Sequence, residues 1–148
     1  LHAYACEKIL EKKIEDAFIE HTNWSPRKAR PYVVNNSSEL EKRLVDETIF
    51  IGLTATAVGF YGPQGRILRL AIQDPELNTK IDCFNYNGIK VTNLEMETSA
   101  IYGLSKLLGH NACSMNAIIA NRANGTFSKN PGNVVADLIV YTLDKLAK

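Results

Sequence analysis

The residues best suited to chemistry lie in segment 54–66, directly after an apolar run of the sequence. An aromatic ring, a carboxamide and a guanidinium follow one another there, at Phe60, Gln64 and Arg66. A glutamine amide both donates and accepts hydrogen bonds, an arginine adds a permanent charge, and a phenylalanine ring can stack on a flat molecule. This spacing favours a small, flat, polar ligand. On the residues alone, core filling explains Phe60 equally well.

A second candidate group lies about thirty residues later, in Asn93–Ala100. Glu95 and Glu97 flank Met96 at the point where a strand pattern changes into a helix pattern. Carboxylates accept hydrogen bonds from hydroxyl groups, so a polyol is a suitable ligand. Successive helix positions diverge by about 100°, so the two carboxylates need not face the same site. The alternative, which the residues alone favour, is that acidic side chains at a helix start complement its dipole.

A third group, Ile118–Arg122, follows another predicted strand. Ligands of open α/β sheets bind at the ends of strands, which makes Ile119, Asn121 and Arg122 candidate contacts. An unpaired surface arginine is the alternative interpretation of Arg122.

With these motifs in this order, the chain resembles the nucleoside phosphorylases, and within them the uridine phosphorylases. Gly52–Arg66 and Asn93–Ala100 carry the resemblance, which includes Ile118–Arg122 and extends more weakly from about Lys8 to the C-terminus. The resemblance implies reversible phosphorolysis of uridine to uracil and ribose 1-phosphate, a pentosyltransferase reaction of pyrimidine salvage. Inorganic phosphate is then the co-substrate, and no cofactor is needed.

The resemblance also implies a role for each candidate residue. A departing uracil carries negative charge on its oxygens, so donors aimed at those oxygens stabilise the transition state. Asn121 stands where purine-selective relatives carry an aspartate that protonates the base, which favours a pyrimidine. The implied base-binding residues are Phe60, Gln64, Arg66, Ile119 and Arg122. The implied ribose-binding residues are Met96, Glu97 and Glu95, and Glu95 is alternatively a supporting residue or a base contact. The implied catalytic residues are Arg66 and Glu97.

Two other functions stay open. One is a purine nucleoside phosphorylase or nucleosidase of the same superfamily, against which Gln64, Arg66 and Asn121 argue. The other is a non-catalytic nucleoside-binding or storage protein that has kept the fold.

Composition predicts an ordinary globular protein. Of the 148 residues, 45% are hydrophobic and 22% are charged. With 17 basic and 16 acidic side chains the net charge is +1, so no electrostatic argument favours nucleic acid or a membrane as a partner. No apolar run approaches the ~18 residues that span a bilayer. The resemblance implies small-molecule substrates, uridine and phosphate, as partners, together with further copies of the chain, since the family forms dimers that assemble further.

Cysteine and histidine usage agrees with a reducing, cytoplasmic setting and predicts no metal site. Three cysteines, Cys6, Cys83 and Cys113, have no paired spacing, and an odd number cannot pair fully within the chain. The histidines are not spaced as metal ligands. We expect His110, next to a glycine that ends a helix, to complement the helix dipole.

Helix and strand patterns alternate along the chain, which predicts an α/β sandwich. The resemblance implies three α/β/α layers around a mixed central sheet, incomplete at the N-terminus. The first expected elements are an amphipathic helix over 6–20, with Ile9, Leu10, Ile14, Ala17 and Phe18 on one face, a loop 24–31, a strand Tyr32–Val34, a helix Ser38–Leu44 capped by Ser38 with Glu41, and an interior strand Thr48–Thr54. A helix from Asp74-Pro75 to Phe84, a turn at Asn87-Gly88, a strand Ile89–Asn93, a helix Met96–Leu108 ended by Gly109 and a strand Cys113–Ala120 are expected next. The last expected element is a helix from Asn130-Pro131, whose Val134, Val135, Leu138, Ile139, Thr142, Leu143 and Leu146 form a buried stripe.

Length is the point at which the chain departs from the family. Family chains are about twice as long, and the N-terminal half, which binds phosphate, has no counterpart in residues 1–148. The chain is therefore expected to be one portion of a single domain, the C-terminal half of a phosphorylase. Its interior strands would then have open edges, so we expect this segment alone to be poorly soluble or partly unfolded, and inactive in phosphorolysis.

Overall fold

A computed structural model of the chain describes residues 7–121 and 124–147. It is a mixed helix and strand protein, which confirms the α/β class; the three-layer arrangement stays a prediction. Within the described ranges the helices and strands are α1 (Lys12–Thr22), α2 (Ser38–Leu44), β1 (Leu53–Thr56), α3 (Leu77–Cys83), β2 (Asn85–Tyr86), β3 (Ile89–Glu95), α4 (Thr98–Leu108), β4 (Ala120–Asn121), β5 (Thr126–Phe127) and α5 (Pro131–Leu146).

The larger sheet is small and mixed. Its strand order is β1-β3-β2, with β1 parallel and β2 antiparallel to β3. Thr56 at the end of β1 pairs with Glu95 at the end of β3. Helix α4 contacts β1 and α3 contacts β3, so the sheet and these two helices position the ends of both parallel strands. Strands β4 and β5 form a separate antiparallel hairpin.

Several local predictions are confirmed. Asn87 and Gly88 both have positive φ, 52° and 90°, in the tight turn that joins β2 to β3. Gly109 ends α4 in the left-handed conformation at φ 75°. Helix α5 begins with Pro131 at its first position, where the missing N–H costs no helical hydrogen bond.

The N-terminal helix lies later in the chain than predicted. It begins at Lys12, and residue 6 lies outside the described ranges. The predicted apolar face is half-buried, whereas the fully buried residues of α1 are Glu15 and Thr22. Arg30 stabilises the buried carboxylate, with its Nε 2.5 Å from Glu15 Oε1.

Helix α2 has the predicted bounds but a different cap. Ser37, in an extended conformation, accepts a hydrogen bond from the backbone N–H of Leu40 at 3.4 Å. Glu41, the predicted partner in the capping box, accepts instead from Asn36 at 2.8 Å. The prediction that Ser38 caps the helix was wrong by one residue: only Ser38 fits the capping-box pattern with Glu41, but Ser37 is an equally suitable residue type for a simple N-cap.

The predicted interior strand Thr48–Thr54 was wrong in its bounds and in its burial. Strand β1 begins only at Leu53, its residues are half-buried, and it lies at an edge of the sheet. Before it, Asp46 Oδ1 accepts hydrogen bonds from the N–H of Thr48 at 2.9 Å and from its hydroxyl at 2.5 Å. These local bonds form a turn and compete with strand pairing.

Two other predicted strands are absent or shortened. Residues 32–34 form no ladder; Val33 accepts a single backbone bond, from Glu11 at 2.9 Å. Of the predicted strand Cys113–Ala120, only Ala120 is in a strand. The N–H of Ser114 donates to the hydroxyl of Tyr102 at 2.7 Å, so a side chain takes the place of a strand partner.

Three helix or strand ends also differ. Asp74 accepts a bond from the N–H of Glu76 at 3.1 Å, so α3 begins at Leu77 instead of at the predicted Asp74-Pro75. Strand β3 continues two residues past Asn93, to Glu95. Helix α4 therefore begins at Thr98, two residues after Met96.

The hydrophobic core is small. Among residues 7–121 and 124–147, the buried apolar residues are Leu44, Ala57 and Phe84. The predicted buried stripe of α5 was wrong: none of the helix residues is buried, and Leu143 is 60% exposed. The amphipathic pattern is present, and α2 and the segment after it lie against this helix without burying its apolar face. Across those residues, no helix is long and apolar enough to cross a membrane.

Candidate functional site

The loop after β1 is shaped by a glycine that no other residue can replace without strain. Residues Gly62–Gln64 form one turn of 3-10 helix, which Gly65 ends with φ 73°. A Cβ atom at Gly65 would lie 2.1 Å from Nδ2 of Asn78. Nδ2 of Asn78, on α3, also donates a hydrogen bond to the carbonyl of Gln64 at 3.1 Å, which holds the turn against α3. The side chains on either side of Gly65 are thereby held together.

The three predicted base-binding side chains of this loop form one cluster. Arg66 donates to Oε1 of Gln64 at 2.8 Å and to the carbonyl of Phe60, and its guanidinium stacks on the Phe60 ring. Gln64 is only 3% exposed, whereas Phe60 is 51% exposed. Phe60 is therefore not a core residue; its ring supports the arginine. A fixed cation beside a buried amide is suited to a planar ligand with carbonyl groups.

The turn between β3 and α4 displays two of its three candidate side chains. Met96 and Glu97 are exposed, and Glu95 is half-buried. Burial raises the pKa of Glu95, but hydrogen bonds from Thr56 and from the backbone of Glu97 and Thr98 outweigh it and lower the pKa below its ordinary value. Glu95 is thus ionised near neutral pH and bonded within the protein.

A large groove brings the first two candidate segments to one surface. Its volume is about 1760 Å³, larger than the ~300–1,000 Å³ of a usual small-molecule site. A nucleoside would fill only a part of it. The lining includes Ile14, Phe18, residues 51–58, Tyr61, Arg66, residues 68–74, Phe84, Met96 and Thr98.

The third candidate segment lies elsewhere in the structure. Ile119, 44% exposed, and Asn121 belong to or adjoin the β4–β5 hairpin and do not line the groove. The N–H of Ser128 bonds the carbonyl of Ile119 at 2.8 Å and that of Asn124 bonds Oδ1 of Asn121 at 3.4 Å. Arg122 lies outside the described residues. The role of this segment in base binding stays a prediction.

Sequence reasoning missed Thr56 and Tyr61. The hydroxyl of Thr56 lies 2.5 Å from Oε1 of Glu95, and the ring of Tyr61 stands edge-on to Phe60 at 5.3 Å between centroids. The position of Thr56 at the end of the strand before the loop was the available signal, since strand ends face ligand sites.

The other titratable groups do not extend the site. In ranges 7–121 and 124–147, no group of three or more His, Cys, Asp or Glu residues is placed to hold a metal ion. Nε2 of His21 lies 2.9 Å from the carbonyl of Lys80, and its ring packs on Phe84. Cys83 is exposed and Cys113 half-buried, both as free thiols, while Cys6 lies outside the described ranges.

Comparison with known proteins supports a phosphorylase-like fold. No protein-family model matches the chain, and no curated protein matches it. Among solved structures, the chain is similar to a nucleoside phosphorylase of Trypanosoma brucei that is reported to show uridine phosphorylase activity, with 29% sequence identity and a TM-score of 0.58. The match covers 92% of this chain and 40% of that one, so the chain spans less than half the length of its structural neighbour.

Proposed function

We propose, from the similarity of this chain to a nucleoside phosphorylase, that it forms the nucleoside-binding part of an enzyme that cleaves uridine with inorganic phosphate. The products are uracil and ribose 1-phosphate. The observation that carries this proposal is the groove lined by both Arg66 and Met96, the predicted base and ribose contacts. Neither segment alone would specify a nucleoside.

Base recognition is assigned to the cluster of Phe60, Gln64 and Arg66. The Gln64 amide donates to one uracil carbonyl and Arg66 to the other. As the glycosidic bond breaks, negative charge grows on these oxygens, so both bonds strengthen toward the transition state. The cation and the amide lie in contact at 2.8 Å, so the two donors are held next to each other. The resemblance adds Ile119 and Arg122 to the base site, although Ile119 does not line the groove of this structure and Arg122 lies outside the described residues.

The ribose is assigned to the turn after β3. Glu97 accepts hydrogen bonds from the ribose hydroxyls and Met96 packs against the sugar. An anionic acceptor close to the sugar also favours the positive charge that develops on the ribose ring as the bond to the base breaks. The Glu97 side chain is exposed, and its one hydrogen bond with a described residue is from the N–H of Met96 at 3.2 Å, which leaves the carboxylate available to a ligand.

Phosphate binding is not assigned to the described residues of this chain. The resemblance attributes it to the N-terminal half of family chains, and this chain spans 40% of the length of its structural neighbour. We propose that the enzyme works in the cytoplasm as a homo-oligomer, without a cofactor, and that nucleic acid and membranes are not its partners.

The test is phosphate-dependent release of free base from uridine and, in parallel, from inosine, with the protein expressed from its complete reading frame. Uracil release that requires phosphate is the expected result. Cleavage of inosine instead would favour a purine phosphorylase and overturn the roles of Gln64 and Asn121. Cleavage without phosphate would indicate a nucleosidase, and uridine binding without turnover would indicate a binding or storage protein.

A further inference from the structure

The first turn of α4 is capped from outside the helix. Glu97, the residue that precedes it, makes no side-chain cap hydrogen bond. Glu95 takes that role: its Oε2 accepts the backbone N–H groups of Glu97 at 2.6 Å and of Thr98 at 2.7 Å. The first N–H groups of a helix have no partner within the helix, and a carboxylate beside them is stabilised by the helix dipole.

Thr56 extends this cap to the neighbouring strand. Its hydroxyl donates to Oε1 of Glu95 at 2.5 Å and accepts the N–H of Ser99 at 3.0 Å. A backbone hydrogen bond also joins the ends of the two strands, since the N–H of Ala57 donates to the carbonyl of Glu95 at 2.8 Å. The ends of β1 and β3 and the start of α4 are therefore joined through one hydroxyl and one carboxylate.

This arrangement fixes the turn that carries Met96 and Glu97. The N–H groups of Glu97, Thr98 and Ser99 are all held by Glu95 or Thr56, while the side chains of Met96 and Glu97 stay exposed. The oxygens of Glu95 already accept three hydrogen bonds within the protein. The Glu95 carboxylate is thus engaged within the protein, and the backbone of the turn that carries the exposed Glu97 is held by Glu95 and Thr56.

We propose that Glu95 and Thr56 are positioning residues, which hold the β3–α4 turn so that Glu97 meets the ribose hydroxyls. This inference rests on the proposed function for the role of Glu97. The cap itself rests on the hydrogen bonds alone. Thr56 acts through Glu95 and Ser99.

Removal of one hydroxyl tests the proposal. In Thr56→Val the side chain keeps its shape but loses both hydrogen bonds, whereas Thr56→Ser keeps the hydroxyl. With the protein from its complete reading frame, we expect kcat/KM for uridine to fall about tenfold in Thr56→Val, the effect of one hydrogen bond to a charged group. Thr56→Ser is expected to restore most of this loss. Thr92→Val, on β3, is the matched control.

A comparison of two substrates distinguishes a positioning role of Thr56 from a purely structural one. If Thr56 positions Glu97, then Thr56→Val reduces kcat/KM for uridine more than for 2′-deoxyuridine, because the 2′-hydroxyl loses its acceptor. An equal loss for both substrates, or a Thr56→Ser variant as weak as Thr56→Val, would overturn the positioning role.

A second measurement does not depend on activity. Carbon-13 NMR titration of the Glu95 carboxyl, assigned with Glu95→Gln, is expected to show a higher pKa in Thr56→Val than in the wild type, since a bond that lowers this pKa has been removed. An unchanged pKa would overturn the bond between Thr56 and Glu95, and with it the positioning role of Thr56. A wild-type protein that cleaves no nucleoside would overturn the proposed function and the role of Glu97, while a shifted titration would still establish that Thr56 bonds Glu95 at the start of α4.

Discussion

The guanidinium carbon of Arg66 lies 3.6 Å from the centroid of the Phe60 ring. A cation over the face of an aromatic ring is attracted by the ring quadrupole, and the contact also restricts the arginine to one orientation. The second restraint is Gln64, whose Oε1 accepts from the same guanidinium. A ligand that enters this loop meets a preformed donor, so less binding free energy is lost in ordering the side chain.

Replacement of Arg66 by lysine tests this preorganised unit. Lysine keeps the charge but has neither the planar surface that stacks on Phe60 nor the paired donors. We expect Arg66→Lys to raise KM for uridine about tenfold, the loss of one charge-assisted hydrogen bond. The measurement is steady-state phosphorolysis with the protein from its complete reading frame.

The control is Arg27→Lys, on a different loop. Arg27 is exposed, does not line the groove and makes no ion pair with a described residue. We expect its KM to equal that of the wild type. A wild-type KM in Arg66→Lys would mean that positive charge alone, and not the Phe60–Arg66 contact, governs binding.

The candidate site could be predicted from sequence only where its parts are local. Phe60, Gln64 and Arg66 lie within seven positions, so their residue types and a glycine-rich turn were enough to group them. The bond from Thr56 to Glu95 spans 39 positions and depends on the parallel register of β1 and β3, which no local pattern encodes. The sequence therefore indicated Glu95 as acidic and near a helix start, but not its partner.

For the fold as well, local features could be predicted from the sequence, whereas long-range contacts could not. Gly109, Asn87-Gly88 and Pro131 set local geometry, and each ends or begins an element as expected. Hydrophobic periodicity identified α5 but not what covers it, because an amphipathic stripe shows only which face is apolar. The strand predicted from Thr48 failed because the Asp46 side chain forms a local turn there.

The cap of α2 gives a stability prediction with an adjacent control. We expect Ser37→Ala to destabilise the protein by about 1 kcal/mol, because the N–H of Leu40 loses its acceptor. Ser38→Ala is expected to have little effect, since Ser38 is the first residue within the helix and is exposed. Urea denaturation of both variants measures the difference. A larger loss in Ser38→Ala would restore the original sequence-based assignment.

The small core makes Phe84 unusually important for stability. Its side chain is 1% exposed and its ring lies 5.2 Å from that of Phe18 and 5.4 Å from that of His21, between centroids. We expect Phe84→Ala to cost roughly 3–5 kcal/mol, because apolar contacts are lost and a cavity is left. Phe50→Ala removes the same side chain from a position that is 95% exposed and is expected to be neutral or to improve solubility. Thermal denaturation of the two variants separates them, and similar losses would contradict the core described here.

The ion pair between Lys145 and Asp46 predicts a pH dependence. Lys145 Nζ lies 2.7 Å from Asp46 Oδ2 and ties the end of α5 to the segment after α2. The hydrogen bond from Lys145, followed by those from Thr48, holds the pKa of Asp46 well below its ordinary value. A carboxyl whose pKa is lowered by folding stabilises the protein above the unfolded-state pKa, and this contribution is lost as pH falls through the folded-state value.

We therefore expect Asp46→Asn to lower Tm most at pH 7, and the difference from wild type to shrink below about pH 4, the ordinary range of aspartate. Asp82→Asn, on the exposed side of α3, is the control and is expected to show a small difference at all pH values. A Tm difference for Asp46→Asn that stays constant between pH 7 and pH 3 would contradict the stabilising role of the pair.

The exposed apolar surface predicts that the 148-residue segment associates with itself when it is alone in solution. Val58 is 93% exposed and Leu70 83% exposed, both line the groove, and β1 lies at an open edge of the three-stranded sheet. Large apolar patches and unpaired strand edges both favour association. Light scattering during size-exclusion chromatography should show concentration-dependent oligomers, and Leu70→Lys should shift them toward the monomer. Thr79→Lys, which adds the same charge on exposed α3, should not. A monodisperse monomer that melts cooperatively would contradict this prediction, because it would show that the segment is stable with its apolar groove exposed to solvent and that no further polypeptide is needed to cover it.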